Sequence, residues 1–226
     1  MSGPKIMPGA QKDLDYFFDI LWCRDQFIYP DAVAVPRLDD KQDGRGSTGK
    51  LFSETLNSPS TISHRIVLFH DSSTAPTLNS ESKTRWLPVE TCNVFYALGD
   101  GVCGFGDICH GGVQATLLDD VMGVLGILNA RVQNGMLPTK VNGRCSPKTN
   151  PGMLGLITNM IATQGIEVQY FRPLRVPKVI QIAATMGQVS DDGTSFMVYA
   201  AIQDGNGKEY AKAKGRWAVF PFKGKL

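Results

Sequence analysis

The chain has 226 residues, 42% of them hydrophobic, which suffices for one well-buried core and an extension but not for two large domains. Its formal net charge is only +2 and its basic residues are scattered, so it lacks the electrostatic signature of a nucleic-acid-binding or membrane-surface protein. We therefore expect no nucleic-acid partner.

Cysteine usage and the N-terminal sequence indicate the cellular setting. The cysteines are odd in number and form no C-x-x-C pair, which argues against a disulfide framework or a zinc site. They are Cys23, Cys92, Cys103, Cys109 and Cys145. The first residues show neither the apolar run of a signal peptide nor the composition of a transit peptide, and we expect no membrane span. These features favour a reducing, cytoplasmic location without metal or other cofactor.

The N-terminal part of the chain predicts a helical extension. Residues 11–25 have an amphipathic pattern, and a helix there would dock its apolar stripe on the main body. The stripe consists of Leu14, Phe17, Phe18, Leu21 and Trp22. Residues 36–50 are polar and rich in glycine, which is typical of a loop or a disordered linker. We therefore divide the chain into an extension, residues 1–59, and a main domain, residues 60–226.

The main domain predicts one helix and an antiparallel sheet. Strand-like runs, rich in β-branched and aromatic residues, precede and follow a helical segment at 111–129, and residues 131–155 form an irregular insertion. The predicted strands are 63–70, 91–105, 161–171 and 179–189, followed by 196–203 and 210–219, which the turn at 204–207 joins as a hairpin. This order indicates an α+β fold in which a curved antiparallel sheet wraps around a central helix.

The predicted helix carries two carboxylates, Asp119 and Asp120, among apolar residues on nearly every face. Such a helix is buried. Its apolar residues are Val113, Leu117, Val121, Val124 and Leu128 on one side and Leu118, Met122 and Leu125 on another. An ionised carboxylate in this setting costs several kcal/mol without partners, so each must be hydrogen-bonded, protonated or facing a cavity.

The helix begins at His110, Gly111 and Gly112. Glycines at a helix start let a ligand approach free backbone N–H groups, which together with the helix dipole favour a developing negative charge. His110 and Asp119 are nine positions apart, which places them on opposite sides of the helix and about 13 Å apart along it. If both belong to one active site, two copies of the chain share it, and function requires a dimer.

Two segments resemble a known family. The run His110-Gly111-Gly112-Val113-Gln114-Ala115-Thr116-Leu117-Leu118-Asp119, completed by Gly123, is similar to the central helix of hotdog-fold thioesterases, and in particular of THEM-type and PaaI-like acyl-CoA thioesterases. The later segment from Thr163 to Tyr170-Phe171-Arg172-Pro173 resembles the strand that follows that helix. The resemblance covers roughly residues 60–222 and predicts a hotdog fold.

The resemblance implies a role for each matched residue. Asp119 matches the family's catalytic carboxylate, acting as general base on water or as nucleophile, and Thr163 matches the residue that helps to place that water. His110 and the backbone N–H of Gly111 or Gly112 match the group that binds the thioester oxygen. An apolar wall around Asp119 would make it a better base. Asp120, in contrast, is expected to form a structural hydrogen bond.

The resemblance also implies a substrate and an assembly. We expect hydrolysis of an acyl thioester, on coenzyme A or a carrier protein, by a homodimer or a dimer of dimers. Two alternatives stay open at this point: an enzyme that releases, cyclises or decarboxylates a polyketide-like intermediate, and a non-catalytic acyl-binding dimer. The insertion at 131–155 could serve as a lid, a determinant of substrate length or an interface element.

Two further features have competing interpretations. Arg172, Arg175 and Lys178 could contact coenzyme A phosphates or could simply be solvated surface charges. Cys109 beside His110 suggests a cysteine nucleophile, helped by the helix N-terminus. We disfavour that nucleophile because adjacent residues of a strand point to opposite faces.

Overall fold

The structure is a computed structural model that describes residues 4–36, 49–71, 85–138 and 152–221. Most of the predicted linker, the middle of the predicted insertion and Cys145 lie outside these described residues. The structural statements below concern the described residues.

Eight strands form one curved sheet. In chain order they are β1 (Lys5–Ile6), β2 (Ala32–Val35), β3 (Ile62–His70), β4 (Thr91–Leu98), β7 (Asn159–Tyr170), β8 (Lys178–Val189), β9 (Ser195–Gln203) and β10 (Glu209–Pro221), while β5 (Cys103–Phe105) and β6 (Ile108–Cys109) form a separate two-stranded ribbon. The strand order across the sheet is β1-β2-β3-β4-β8-β9-β10-β7. All neighbours pair antiparallel except β1 with β2. This order leaves β7 as an edge strand.

A single long helix, α3 (Gly111–Gln133), packs against the inner face of this sheet. Most of its apolar side chains are buried, and the helix contacts β4, β7, β8, β9 and β10. Close approach requires a glycine at one position, because a Cβ at Gly123 would lie 2.8 Å from Cη2 of Trp217 on β10. The structure thus confirms the predicted α+β hotdog fold, with an antiparallel sheet wrapped around one helix.

The helix α3 also satisfies the length and apolar composition of a membrane span. However, 56% of its most apolar window is buried inside the protein, as in the core helix of a globular domain.

The helix α3 extends to Gln133, four residues beyond the predicted end. The side chain of Gln133 extends the contact, because its amide donates to the Leu154 carbonyl and accepts from the Leu156 N–H, both at 2.8 Å. Both ends of the predicted insertion are therefore ordered by α3.

The N-terminal extension contains two helices, α1 (Gln11–Phe18) and α2 (Leu21–Phe27), so the prediction of one helix over 11–25 was wrong. The helical conformation is interrupted at Ile20, whose backbone is extended, with φ −97° and ψ 112°. The break redirects the predicted apolar stripe: Phe17 is buried, whereas Leu21 is 67% exposed. Phe17 and Phe27 pack on Ile66, Leu68 and Phe95 at the outer face of β3 and β4.

Polar contacts and two short strands fasten the extension to the sheet. The strands β1 and β2 continue the sheet beyond β3, which the sequence pattern did not predict. Nδ1 of His64 lies 2.9 Å from an Asp13 carboxylate oxygen, and Nδ1 of His70 lies 3.3 Å from one of Asp31. These histidines have structural partners within the extension.

Other element boundaries also differ from the sequence pattern. The strand predicted over 91–105 ends at Leu98, because Gly99 passes close to the backbone of Ser60 and the chain turns there. The predicted hairpin of β9 and β10 is present, and its turn closes with a hydrogen bond from the Gly207 N–H to the Asp204 carbonyl at 2.9 Å. Gly207 adopts φ +69°, a conformation that favours glycine.

The strand β7 contains a bulge. Thr163 lies opposite Trp217 of β10, but Gly165 lies opposite Arg216, so Gln164 has no partner in the register with β10. Thr163 and Tyr170 are seven residues apart and would face opposite sides of a regular strand. The extra residue restores the alternation, and both side chains point towards α3.

Asp120 lies on the buried side of α3, where it accepts hydrogen bonds from the Arg65 guanidinium at 2.5 Å and from the Tyr96 hydroxyl at 3.0 Å. The side chains of Arg65 and Asp120 are only 6% and 18% exposed. Burial, the first of several causes, holds the pKa of Tyr96 well above its usual range, so Tyr96 stays a proton donor to the carboxylate. This cluster ties α3 to both β3 and β4, in agreement with the structural role expected for Asp120.

We predict that Asp120→Asn lowers the free energy of unfolding by about 3 kcal/mol, because it leaves the buried Arg65 charge without its counter-ion. The double variant Arg65→Met with Asp120→Leu should lose less than the sum of the single variants, since both charges are gone. Urea unfolding at fixed protein concentration measures each loss. Asp119→Asn serves as the matched control, and equal losses at Asp119 and Asp120 would contradict the assignment.

Candidate active site

His110 caps the N-terminus of α3. The backbone N–H of Gly112 donates to Nδ1 of His110 at 2.9 Å, and an N–H group can only donate. Nδ1 is therefore unprotonated, and the neutral ring carries its proton on Nε2. Since the His110 residue is exposed, its Nε2–H is a donor that a ligand can reach.

The same hydrogen bond distinguishes Gly111 from Gly112, which the sequence analysis offered as equivalent candidates for the oxyanion donor. The Gly112 N–H is engaged with His110, whereas the Gly111 N–H donates to no acceptor among the described residues. Gly111 is thus the better of the two candidates for an oxyanion donor. Its N–H and the Nε2–H of His110 are two donors that a ligand could use at this end of the helix.

Asp119 faces the edge strand β7. The Thr163 hydroxyl donates to Oδ1 of Asp119 at 2.9 Å, which brings together two of the predicted site residues. Asp119 is half-buried in the single chain, not enclosed by apolar side chains. The carboxylate therefore has one oriented oxygen and remains partly exposed to solvent.

Tyr170 is the site residue that the sequence did not single out. Its hydroxyl donates to the Gly111 carbonyl at 2.8 Å. The ring lies against the helix start, because the position that a Cβ of Gly111 would take is 3.6 Å from its nearest ring atoms. Tyr170 belongs to the Tyr-x-Arg-Pro segment that resembles the family, but the resemblance assigns the tyrosine no role.

Two of the three basic residues considered as contacts for coenzyme A phosphates form ion pairs within the protein. Arg172 is exposed, and Arg175 forms an ion pair with Asp107 in the turn of the β5–β6 ribbon. Nζ of Lys178 lies 3.2 Å from an Asp204 carboxylate oxygen. Burial lowers the pKa of Lys178, but its hydrogen bonds with Tyr210 and Asp204 outweigh that effect and raise the pKa. Arg175 and Lys178 thus already have protein partners.

The structure provides no support for a cysteine nucleophile. Cys109 is buried, and burial raises the pKa of its thiol to about 12. A thiol with this pKa is protonated at neutral pH and is a poor nucleophile. Within the described ranges no cluster of three or more His, Cys, Asp or Glu side chains could hold a metal ion.

An open depression of ≈ 520 Å³ lies on the outer face of the sheet. Its lining includes Tyr199 of β9 and Lys212 and Lys214 of β10. Because side chains alternate along a strand, these residues point away from α3, whereas Trp217 packs on it. The depression is therefore on the opposite side of the sheet from Asp119 and His110.

A comparison with known proteins identifies the family. Verlamelin biosynthesis protein B from Lecanicillium sp is 53% identical over 217 residues, which are 96% of this chain and 92% of that protein. The chain belongs to the family of verlamelin biosynthesis protein B. No family model matches the sequence.

Solved structures are more distant from this member of the verlamelin B family. A thioesterase from Haemophilus influenzae shares 11% identity over 62% of this chain and 78% of that chain, with a TM-score of 0.44. A hypothetical thioesterase protein with coenzyme A from Streptococcus pneumoniae shares 14% identity over 58% and 80% of the two chains, with a TM-score of 0.43.

The cap at His110 predicts different stability losses for two substitutions. His110→Ala should lower the free energy of unfolding by about 1 kcal/mol, because it removes the acceptor for the Gly112 N–H. His110→Asn should stay within about 0.5 kcal/mol of the parent, because asparagine is a good N-cap. Chemical unfolding followed by circular dichroism distinguishes them, and equal losses would show that the imidazole does not act as a cap.

Proposed function

We propose that this protein hydrolyses acyl thioesters at a site that two copies of the chain form together. The observation that carries the proposal is the position of two reactive groups on one uninterrupted helix. His110 caps the start of α3, and Asp119 is oriented by Thr163 more than two turns later. With a rise of 1.5 Å per residue they lie about 13 Å apart, too far to act on one carbonyl within one chain.

The proposed roles follow from the hydrogen bonds. The Nε2–H of His110 and the N–H of Gly111 bind the thioester oxygen and stabilise the negative charge that develops on it. Asp119 of the other copy removes a proton from water, and the hydroxide attacks the carbonyl carbon. The C–S bond then breaks and the thiolate takes up a proton. Direct attack by Asp119 is the alternative first step.

The edge strand supports the proposed dimer. β7 pairs with β10 on one side only, and most of its residues are exposed in the single chain. Long exposed edge strands are templates for pairing with another chain, and two-fold pairing at β7 would extend the sheet across both copies. Because β7 also carries Thr163 and Tyr170, such pairing would bring both ends of the candidate site next to the partner.

The substrate class is proposed from the resemblance and from the relative. We propose an acyl group on coenzyme A or on a carrier protein, processed in a reducing, cytoplasmic setting. A second candidate is the release, cyclisation or decarboxylation of a polyketide-like intermediate with Asp119 as base. The observation that favours this candidate is the 53% identity to a protein of verlamelin biosynthesis.

We predict that Asp119→Asn lowers kcat for thioester hydrolysis by at least about 100-fold, because an amide cannot accept the proton from water. KM should change little, since the substrate oxygen is bound by the helix start. Release of free thiol from acyl-CoA esters of increasing chain length measures both constants. Asp191→Asn, an exposed carboxylate in the turn after β8, is the control. Full activity of Asp119→Asn would end the catalytic assignment, and binding without turnover by the parent would indicate an acyl-binding protein.

The shared site predicts complementation between inactive variants. An equal mixture of Asp119→Asn and His110→Asn, exchanged by mild denaturation and refolding, should recover about a quarter of the parent activity, because half of the dimers have one intact site of two. Mixing Asp119→Asn with Thr163→Val is the matched control. Both of those changes lie on the same side of the site, so their mixed dimers contain no fully intact site.

Thiol release and the mass of the assembly are measured on the same samples. Recovery in the first mixture alone supports a shared site. Absence of recovery in mixtures that contain mixed dimers contradicts it.

A further inference from the structure

We infer that Tyr170 is a positioning residue that acts on His110 through the peptide group between Gly111 and Gly112. The inference rests on the proposed function, in which the Nε2–H of His110 binds the substrate carbonyl. It adds a residue of β7 that touches no reacting atom but sets the state of the imidazole that does.

Both ends of one peptide group are hydrogen-bonded. The Tyr170 hydroxyl donates to the Gly111 carbonyl at 2.8 Å. The N–H of the same peptide group, which belongs to Gly112, donates to Nδ1 of His110 at 2.9 Å. The sequence of bonds therefore runs from the Tyr170 O–H, through the peptide group, to the imidazole, and it ends at Nε2–H.

Hydrogen bonds in such a chain strengthen one another, because each acceptor becomes a more polar donor. A donor at the Gly111 carbonyl polarises the peptide group and makes the Gly112 N–H a stronger donor to Nδ1. That bond favours the tautomer with the proton on Nε2 and holds the ring plane. Tyr170 therefore keeps His110 in the form that can donate to a substrate oxygen.

The same strand orients the other half of the site. The bulge at Gln164 lets Thr163 and Tyr170 face α3 together, so β7 contacts both Asp119 and the start of the helix. Gly111 is the residue against which the Tyr170 ring packs, at 3.6 Å from the position of a Cβ. A Cβ at that position would make an ordinary van der Waals contact with the ring.

The first test is Tyr170→Phe, which keeps the ring and removes only the hydroxyl. Nitrogen-15 NMR of the His110 ring should show the Nε2–H tautomer alone in the parent and a mixture of both tautomers in the variant. With a thioester substrate, kcat should fall about fivefold, the effect of one lost hydrogen bond, with little change in KM. Tyr199→Phe is the matched control, because Tyr199 and Tyr170 are both 48% exposed but Tyr199 lies on the outer face of the sheet.

A double variant separates positioning from a general structural effect. If Tyr170 acts through the imidazole, adding Tyr170→Phe to His110→Asn lowers kcat no further. A further fivefold loss in that background would overturn the inference, as would an unchanged tautomer in Tyr170→Phe. The NMR readout needs no turnover. If no thioester is hydrolysed while the tautomer still depends on Tyr170, the proposed function fails and the hydrogen-bond chain stands.

Discussion

The continuity of α3 is the constraint on which the candidate site depends. The helix runs from Gly111 to Gln133 without a break, so the groups at its start and the carboxylate in its third turn are held at a set distance. The sheet around it keeps the helix rigid, since its apolar faces are buried on several strands. In the proposed mechanism, this separation is the reason why two chains have to assemble.

Two neighbouring carboxylates on α3 have different roles because they point in different directions. Successive helix residues are rotated by about 100°, so Asp120 faces β3 and β4 while Asp119 faces the edge strand. Arg65 neutralises Asp120 inside the protein. Asp119 accepts a hydrogen bond from the Thr163 hydroxyl and forms no ion pair with the described residues. One side of the helix thus stabilises the fold, and the other remains available for reaction.

Sequence patterns predicted the central helix and the antiparallel sheet from their periodicity, and a motif match pointed to Asp119 and Thr163 as site residues. They did not predict the break at Ile20 or the strands β1 and β2. These strands form by pairing with each other and with β3, and such long-range pairing leaves no local signal in the sequence. The role of Tyr170 was also missed, since its partner is a backbone carbonyl 59 residues away. The pairing of Lys178 with Asp204 was missed for the same reason, because tertiary contacts decide which surface charges are paired.

The extra residue in β7 has a consequence for how this strand tolerates change in length. Without Gln164 the strand would be regular, and the threonine and the tyrosine, then six residues apart, would still face α3 together. A spacing of six residues without a bulge and a spacing of seven with one therefore both place the two side chains on the helix side of the strand. When further members of the family are compared, the spacing between these two positions indicates whether their edge strand contains the bulge.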